Sequence, residues 1–361
     1  MDRPALAGGA RGLTHRHRPP HPPRTRPGPA PPGPRPRTPL VHPGGMTDQP
    51  ISHEDVHAAA RRIAGGVRPV AVAPAGAEVV PDAEVWFALE FLQHTGSFKA
   101  RGALNFTAAH AAAGTMPDAG VLIASGGNAG LACAWAAARH GVPAHVFLPA
   151  TAPEFKVERL RGLGADVRLT GRTYGEALAA SRAMAAETGA LASHAYDHPL
   201  ISAGAGTLLP EIAAAVPGGV DTVVVAVGGG GLYAGVAAAA AAQGIGVVAV
   251  EPENCRALSA ALAAGEVVDV PVDSVAADSL GAPRTSRDAL AWAQRPGTTS
   301  VLVADAAIEA ARRRLWDEHR LVVEHAAGTA LAALTTGAYK PRAGERVAVV
   351  LCGANTDPGT L

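Results

Sequence analysis

A run of four glycines between an apolar stretch and an alanine-rich stretch is the feature that most restricts how this chain can fold. Residues 222–227 predict a buried strand, residues 228–231 are all glycine, and residues 232–243 predict a helix. The same order recurs upstream, where the apolar run 121–124 breaks into Ser-Gly-Gly-Asn before a helix that ends near residue 140. Strand, glycine turn and helix in this order form a unit of a parallel α/β sheet.

Both glycine turns have the geometry of an anion site. Consecutive N–H groups of a glycine turn at a helix start can converge on one anion, and the helix dipole adds to the attraction. The four-glycine run predicts a phosphate site, and a flexible linker is disfavoured because strand and helix flank it directly. For the upstream turn, the residues alone are equally consistent with a purely structural glycine turn at a helix start. These turns comprise Gly228, Gly229, Gly230 and Gly231, and Ser125, Gly126 and Gly127.

One lysine stands apart from the other charges of the chain. Lys99 lies in the stretch Gly96-Ser97-Phe98-Lys99-Ala100, between apolar or small neighbours, at the predicted start of a helix that runs to about residue 110. A lysine amine in a partly dry pocket has a lowered pKa and can attack an aldehyde or act as a base. The alternative reading of this stretch alone is a solvated surface charge.

Charge and cysteine content narrow the class of protein. The formal net charge is zero, which gives no indication of a polyanionic partner such as nucleic acid. Three cysteines without CxxC spacing favour a reducing compartment: Cys133, Cys255 and Cys352. No apolar run reaches membrane-spanning length without glycines or charges, and no secretory signal is apparent. We therefore predict a soluble, cytoplasmic protein.

The first 45 residues differ from the rest of the chain. They contain 13 prolines and eight arginines against a single acidic residue, so residues 46–361 carry the compensating negative charge. Such a composition predicts disorder. Nucleic-acid or membrane contact is disfavoured, since neither interleaved aromatics nor an amphipathic period is present. Met46 is an alternative translation start, followed by a predicted helix at residues 53–64.

Strands and helices alternate through the remaining chain, which predicts an α/β fold of two domains. Predicted strands at 121–124, 144–148 and 166–169 alternate with helices at 129–140, 154–163 and 173–187, and form a small domain of residues 95–191. Residues 46–94 and 192–361 form a large domain, with a strand at 84–92, a helix at 206–216, strands at 222–227, 247–251 and 347–352, and the helix at 232–243. Each domain has a mostly parallel sheet flanked by helices, and the small domain is inserted in the large one. Loops at the carboxyl ends of such strands hold ligands.

Six motifs in order resemble one family. They are Gly96-Ser97-Phe98-Lys99, Ser125-Gly126-Gly127-Asn128, Gly228-Gly229-Gly230-Gly231-Leu232, Val250-Glu251-Pro252-Glu253-Asn254, Val323-Glu324 and Leu351-Cys352-Gly353-Ala354-Asn355. Together they resemble the serine/threonine dehydratases of the tryptophan-synthase-β-like, fold-type-II enzymes that use pyridoxal 5′-phosphate (PLP). The resemblance extends from about residue 69 to residue 358.

The resemblance implies a role for each motif. Lys99 would bind the PLP aldehyde and later take the α-proton of the amino acid. Phe98 would pack beside the cofactor ring, although an ordinary core position is an equal alternative. The glycine run with Leu232 would hold the PLP phosphate. Ser125, Gly126, Gly127 and Asn128 would bind the substrate carboxylate, with Asn128 also on the 3′-oxygen of PLP.

The resemblance also implies how the cofactor ring and a cation are held. Cys352 would face the pyridine nitrogen, where a thiol is a weak donor that leaves the nitrogen unprotonated; its alternative is a small buried hydrophobic residue. Glu251 resembles a cation-site carboxylate. Relatives with a divalent ion have an acid six residues later, where this chain has Ala257, so K⁺ is expected instead. Glu324 would lie near the ring, with His325 in place of the usual proline. A homodimer is expected from the family alone.

Two departures narrow the expected reaction. Racemases of this family have a second serine where this chain has Gly126, so racemisation is disfavoured. Ala129 replaces a histidine found in biosynthetic threonine dehydratases, and no effector-binding domain is expected after residue 361. We predict an ammonia-lyase converting L-serine or L-threonine to pyruvate or 2-oxobutanoate plus ammonia. The alternatives are a β-replacement enzyme, a dehydratase of hydroxyaspartate or phenylserine, and a catalytically silent amino-acid sensor.

Overall fold

The structure is a computed structural model that describes residues 49–76 and 79–361. The predicted N-terminal extension and the alternative start at Met46 lie outside the described residues. Within them the strands are β1 (Val72–Pro74), β2 (Glu84–Ala88), β3 (Val121–Ala124), β4 (Ala144–Leu148), β5 (Asp166–Leu169), β6 (Leu191–Ala192), β7 (Thr222–Ala226), β8 (Gly246–Pro252), β9 (Thr298–Val303) and β10 (Arg346–Val350).

The helices alternate with these strands along most of the chain. They are α1 (His53–Ile63), α2 (Lys99–Ala113), α3 (Asn128–His140), α4 (Glu154–Gly162), α5 (Tyr174–Thr188), α6 (Pro199–Gly206), α7 (Leu208–Ala215), α8 (Gly231–Ala241), α9 (Ala257–Ala264), α10 (Ala277–Leu280), α11 (Arg287–Ala293), α12 (Asp305–His319) and α13 (His325–Thr335). Short 3₁₀ turns occur at Glu90–Leu92, His94–Gly96 and Pro358–Thr360. Among the described helices none is long and apolar enough to cross a bilayer.

The strands form two sheets, which confirms the predicted α/β class. One sheet has six strands in the order β1-β2-β10-β7-β8-β9, and the other has four in the order β5-β4-β3-β6. Every pairing is parallel except that of β1 with β2. The four-stranded sheet therefore uses strands between residues 121 and 192, and the six-stranded sheet uses strands on both sides of that segment. The domain boundaries at residues 94/95 and 191/192 stay a prediction.

The core of the larger sheet consists of β-branched strands covered by alanine-rich helices. All five residues of β7 are buried, and so are ten consecutive residues of α8. Small side chains let these helices approach closely: a Cβ on Gly206 of α6 would lie 2.8 Å from the Cα of Gly235 of α8. Both helices are buried at this crossing.

Most predicted elements are confirmed, two have different bounds, and several were not predicted. Strands β3, β4 and β5 have the predicted bounds. The strand predicted at 84–92 is wrong beyond Ala88, where the chain turns into a 3₁₀ helix that contains the buried Glu90. The helix predicted at 206–216 is wrong as a single element, because α6 begins earlier, at Pro199, and a second helix, α7, follows Thr207. The prediction did not include β1, β6, β9, or the helices α9 to α13.

Candidate active site

The predicted lysine lies where α2 begins, against the end of β10. The Phe98 backbone N–H donates to the carbonyl oxygen of Cys352 at 3.0 Å, and the Ala354 N–H donates to the Gly96 oxygen at 3.0 Å. An isolated bridge joins Ser97 to Gly353. These bonds connect the turn before Lys99 to the segment that follows the central strand of the larger sheet.

The Lys99 amine has few polar partners. Its Nζ donates to the Ala195 carbonyl oxygen at 2.7 Å and lies 4.7 Å from the centroid of the half-buried Phe98 ring. Burial lowers the pKa of Lys99 to about 8, and the nearby Cys352 and Glu324 oppose this shift. A neutral amine is therefore accessible near physiological pH, as a nucleophile or base requires.

A buried ion cluster stabilises the first turn of α2. Arg101 is fully buried and donates from Nε and Nη2 to the Glu90 carboxylate at 2.7 and 3.1 Å. The same guanidinium donates to both oxygens of Glu211, at 2.7 and 2.8 Å. Because Glu90 directly follows β2 and Glu211 lies on α7, the cluster holds the helix start of Lys99 against two other elements.

The glycine run lies at the carboxyl end of β7 and opens α8. Gly230 is the N-cap, with φ of 89°, and no side chain caps the helix. A Cβ on Gly228 would lie 2.8 Å from the Leu280 oxygen, and a Cβ on Gly231 would lie 2.7 Å from the Tyr196 oxygen. A Cβ on Gly229 would collide with the Tyr196 ring. Larger residues do not fit at these positions, and no side chain occupies the cap of the helix N-terminus. Leu232 follows on α8 and is buried in the core.

The upstream turn lies at the carboxyl end of β3 and opens α3. Gly127 is the N-cap without a capping side chain. A Cβ on Gly127 would meet nothing within 4 Å, whereas a Cβ on Gly126 would collide with the Leu148 side chain. The Gly127 N–H donates to the Ser125 hydroxyl at 3.4 Å. A second helix N-terminus is thus open toward free space, as the carboxylate of an amino acid requires.

Asn128 belongs to a network of amides and a carboxylate. Its Nδ2 donates to both oxygens of Glu324 at 2.9 Å, and its Oδ1 accepts from Asn355 Nδ2 at 2.6 Å. The Asn355 backbone N–H donates to Glu324 at 2.8 Å. Burial raises the pKa of Glu324, and these hydrogen bonds oppose the rise. The structure therefore places Glu324 beside Asn128.

Cys352 lies two residues after β10 and is almost fully buried. Burial, followed by the neighbouring Glu324, raises the pKa of its thiol to about 12. The thiol is therefore neutral at physiological pH, and it contributes no counter-ion to a group that faces it.

Glu251 lies away from this cluster, as a cap of α9. Its oxygens accept from the Leu258 N–H at 2.7 Å and the Ser259 N–H at 2.8 Å. Burial raises its pKa to about 7. No group of three or more His, Cys, Asp or Glu side chains arranged for a metal occurs among residues 49–76 and 79–361. The predicted K⁺ site at Glu251 stays a prediction.

Sequence reasoning did not identify three groups that border the site. They are the Ala195 carbonyl that accepts from Lys99, the Tyr196 ring against Gly229, and the Thr285 hydroxyl. Thr285 is buried, and its Oγ1 has no hydrogen-bond partner within the described part of the chain. It would lie 2.8 Å from a Cβ on Gly230. None of these three groups belongs to a recognisable sequence motif, because only the packing of loops brings them to Lys99 and the glycine run.

Comparison with known proteins identifies the family. The model of the pyridoxal-phosphate dependent enzyme family matches residues 62–353. This covers most of the chain, including both glycine turns and Lys99, so the chain belongs to the family and PLP is its cofactor.

Individual relatives are dehydratases. The serine dehydratase-like protein of Homo sapiens is 36% identical over 75% of this chain and 85% of its own length. The phenylserine dehydratase of Ralstonia pickettii is 38% identical over 79% of this chain and 86% of its own. The solved T.th. threonine deaminase superposes with a TM-score of 0.75 at 31% identity, over 85% of this chain and 99% of its own.

The residues of the site fit the cofactor. PLP has an aldehyde that a neutral lysine amine can bind, a phosphate that an uncapped glycine turn can hold, and a ring oxygen that needs a donor. The Lys99 amine, the glycine run with the unpartnered Thr285 hydroxyl beside it, and the Asn128 amide are of these three kinds.

Proposed function

We propose that this protein is an ammonia-lyase that converts L-serine or L-threonine to pyruvate or 2-oxobutanoate and ammonia. The observation that carries the proposal is that one amine with a lowered pKa, Lys99, is linked to two helix N-termini that no side chain caps. One link runs through Ala195 and the neighbouring Tyr196 to the glycine run, and the other runs through Glu324 to Asn128. One N-terminus serves the cofactor phosphate and the other serves the carboxylate of an amino acid.

The cofactor, when bound, supplies an electron sink for a carbanion next to the amino group. Lys99 would hold the cofactor through its aldehyde, and its amine, when free, would take the α-proton of the amino acid. Holding this amine beside the α-carbon makes the proton transfer effectively intramolecular. The bond to the β-hydroxyl then breaks with loss of water. Hydrolysis of the released enamine replaces nitrogen by oxygen and gives the 2-oxo acid and ammonia.

The other residues orient the reactants. Gly228, Gly229, Gly230 and Gly231 hold the phosphate through backbone N–H groups, and Phe98 packs by the ring. Ser125, Gly126, Gly127 and Asn128 bind the substrate carboxylate. The neutral Cys352 thiol faces the ring nitrogen and leaves it unprotonated, which favours prompt loss of the hydroxyl. The high pKa of Cys352 supports this assignment.

Substrates that differ in the size of the β-substituent can be compared directly. A Cβ on Gly127 would meet nothing within 4 Å, so the carboxylate turn has open space on this side. A relative of this chain is a phenylserine dehydratase. These two observations favour phenylserine as a further substrate to test beside serine and threonine.

The experiment supplies purified protein with PLP and separately with L-serine, L-threonine, phenylserine, and O-acetylserine plus sulfide. Equal release of oxo acid and ammonia from a hydroxy amino acid supports the lyase and ranks its substrates. Cysteine formed from O-acetylserine and sulfide, without oxo acid from the others, would instead identify a β-replacement enzyme. Silence on all four, without a cofactor absorption band, would favour the amino-acid sensor.

Four finer points belong to the same proposal. The protein is a cytoplasmic homodimer with a small domain of residues 95–191, and K⁺ binds at Glu251. Three unpaired, buried thiols support a reducing compartment. Sedimentation analysis tests the dimer. For the cation, the activity of the wild type is measured in K⁺ and in a large organic cation, and it should be higher in K⁺. The Glu251→Gln variant is the control, whose activity should be the same in both cations.

A further inference from the structure

Asn355 is the central member of a hydrogen-bonded chain that ends on Asn128. Its Nδ2 donates to the Thr95 carbonyl oxygen at 2.7 Å and to Asn128 Oδ1 at 2.6 Å. Its Oδ1 accepts from Arg159 Nη2 at 2.6 Å, and its backbone N–H donates to Glu324 at 2.8 Å. Both ends of this amide are therefore engaged.

The partners leave the Asn355 amide one orientation. The Thr95 carbonyl can only accept a hydrogen bond, and the Arg159 guanidinium can only donate. Asn355 Nδ2 must face Thr95, and its Oδ1 must face Arg159. Because Nδ2 also faces Asn128, the atom that Asn128 turns toward it must be an acceptor, which is Oδ1.

The orientation of Asn355, together with the Glu324 carboxylate, consequently sets that of Asn128. With Oδ1 occupied, Asn128 directs its Nδ2 to the opposite side, where that group donates to Glu324 at 2.9 Å. An amide nitrogen carries two N–H groups, and the Glu324 carboxylate shares one of them. The second is available to a further acceptor. In the reverse orientation, Asn128 Oδ1 would face the Glu324 carboxylate, and two acceptors would repel each other.

We infer that Asn355 is a positioning residue for the cofactor, which fixes the Asn128 amide with an N–H directed to the 3′-oxygen of PLP. The inference rests on the proposed function for the role of Asn128. It adds a residue that acts on the cofactor through Asn128. Arg159 of α4 also contributes, because its guanidinium donates to Asn355 Oδ1 and so fixes the orientation of the Asn355 amide.

The test replaces Asn355 by an isosteric acceptor. In Asn355→Asp, the carboxylate keeps the contact with Arg159 but presents an oxygen to Thr95 and Asn128. Asn128 then lies between two carboxylates, the new one and Glu324, and its Nδ2 is no longer held toward Glu324 and the cofactor. We expect PLP to bind roughly 10- to 100-fold more weakly, the size of one hydrogen bond to a charged group. We also expect the absorption maximum of bound PLP to shift.

A matched control is available on the same helix as Lys99. Asn105 likewise accepts from an arginine, Arg62, and donates to a backbone carbonyl, that of Leu200 at 2.7 Å, and its side-chain hydrogen bonds do not involve Asn128. Asn105→Asp makes the same chemical change and should leave the affinity and the spectrum of bound PLP unaltered. Asn355→Ala removes the partner of Asn128 without adding charge, so it decides the question should Asn355→Asp unfold.

The inference would be overturned if folded Asn355→Asp or Asn355→Ala bound PLP within about twofold of the wild-type affinity and with an unshifted spectrum. Equal effects in Asn105→Asp would overturn it as well, because they would indicate a general loss of stability. The readout is cofactor binding and not turnover. If the wild-type protein binds PLP but releases no oxo acid, the proposed function is wrong and this test remains valid. If the wild-type protein binds no PLP, both the proposed function and this inference are wrong.

Discussion

Removing the Arg101 guanidinium should destabilise the fold far more than removal of a surface charge. Arg101 has no exposed surface and Glu90 is 1% exposed, so Arg101→Leu leaves a carboxylate in the core without its partner. Breaking a buried pair from one side costs about 3–5 kcal/mol, a large part of the roughly 5–15 kcal/mol that stabilises a typical domain. Glu211 loses less, because a third of its side chain remains in contact with water.

The sign of the pH dependence follows from Glu90. Burial already raises its pKa, and the Arg101 charge opposes that rise. Without Arg101 the folded-state pKa rises further above the unfolded value. The stability deficit of Arg101→Leu is then smallest below the unfolded pKa of a glutamate, about 4.3, and grows as the pH rises.

Urea unfolding followed by circular dichroism measures both effects. The free energy of unfolding of Arg101→Leu should fall below that of the wild type by more at pH 7.5 than at pH 5. The double variant Glu90→Leu/Arg101→Leu should recover most of the deficit, since no fully buried charge remains and Glu211 keeps a third of its side chain in water. A loss below about 1 kcal/mol, or a double variant as unstable as the single one, would refute the reasoning that the cluster holds the start of α2.

Two further predictions concern the cofactor site. Gly230→Ala should weaken PLP binding, because a φ of 89° costs an alanine roughly 1–2 kcal/mol and the added Cβ collides with Ala289. The control is Gly244→Ala, with φ of 66° and nothing within 4 Å of the added Cβ, which should lose stability but keep its affinity for PLP. Equal losses of PLP affinity in the two variants would contradict this role of Gly230. The rate at which the apoprotein captures PLP covalently should rise with pH, with a midpoint near the Lys99 pKa of about 8, and level off once the amine is fully neutral. Stopped-flow absorbance that places the midpoint above about 10, near the ordinary pKa of lysine, would contradict the lowered pKa.

The parts of the site that a local pattern defines could be predicted from the sequence. The glycine turns and Lys99 are each set by a few adjacent residues, and their strands and helices follow from hydrophobic runs a few residues long. The end of β2 could not be predicted, because Glu90 leaves the strand to meet Arg101, which follows eleven positions later. Propensity cannot anticipate such a contact.

The support of the site could not be predicted for a related reason. Asn355 lies within a recognised motif, yet its partners Thr95, Asn128 and Arg159 come from three separate segments. Likewise, the Tyr196 ring reaches the glycine run only through the packing of a loop. Tertiary structure alone determines which of these side chains meet.

The measurement that tests the central claim most directly compares wild-type protein with Lys99→Ala, each supplied with PLP and L-serine or L-threonine. The account predicts equal amounts of oxo acid and ammonia from the wild type. In Lys99→Ala, whose fold is checked by circular dichroism, it predicts release no greater than that of PLP alone. Release above that background by folded Lys99→Ala would contradict the assignment of Lys99 as the base.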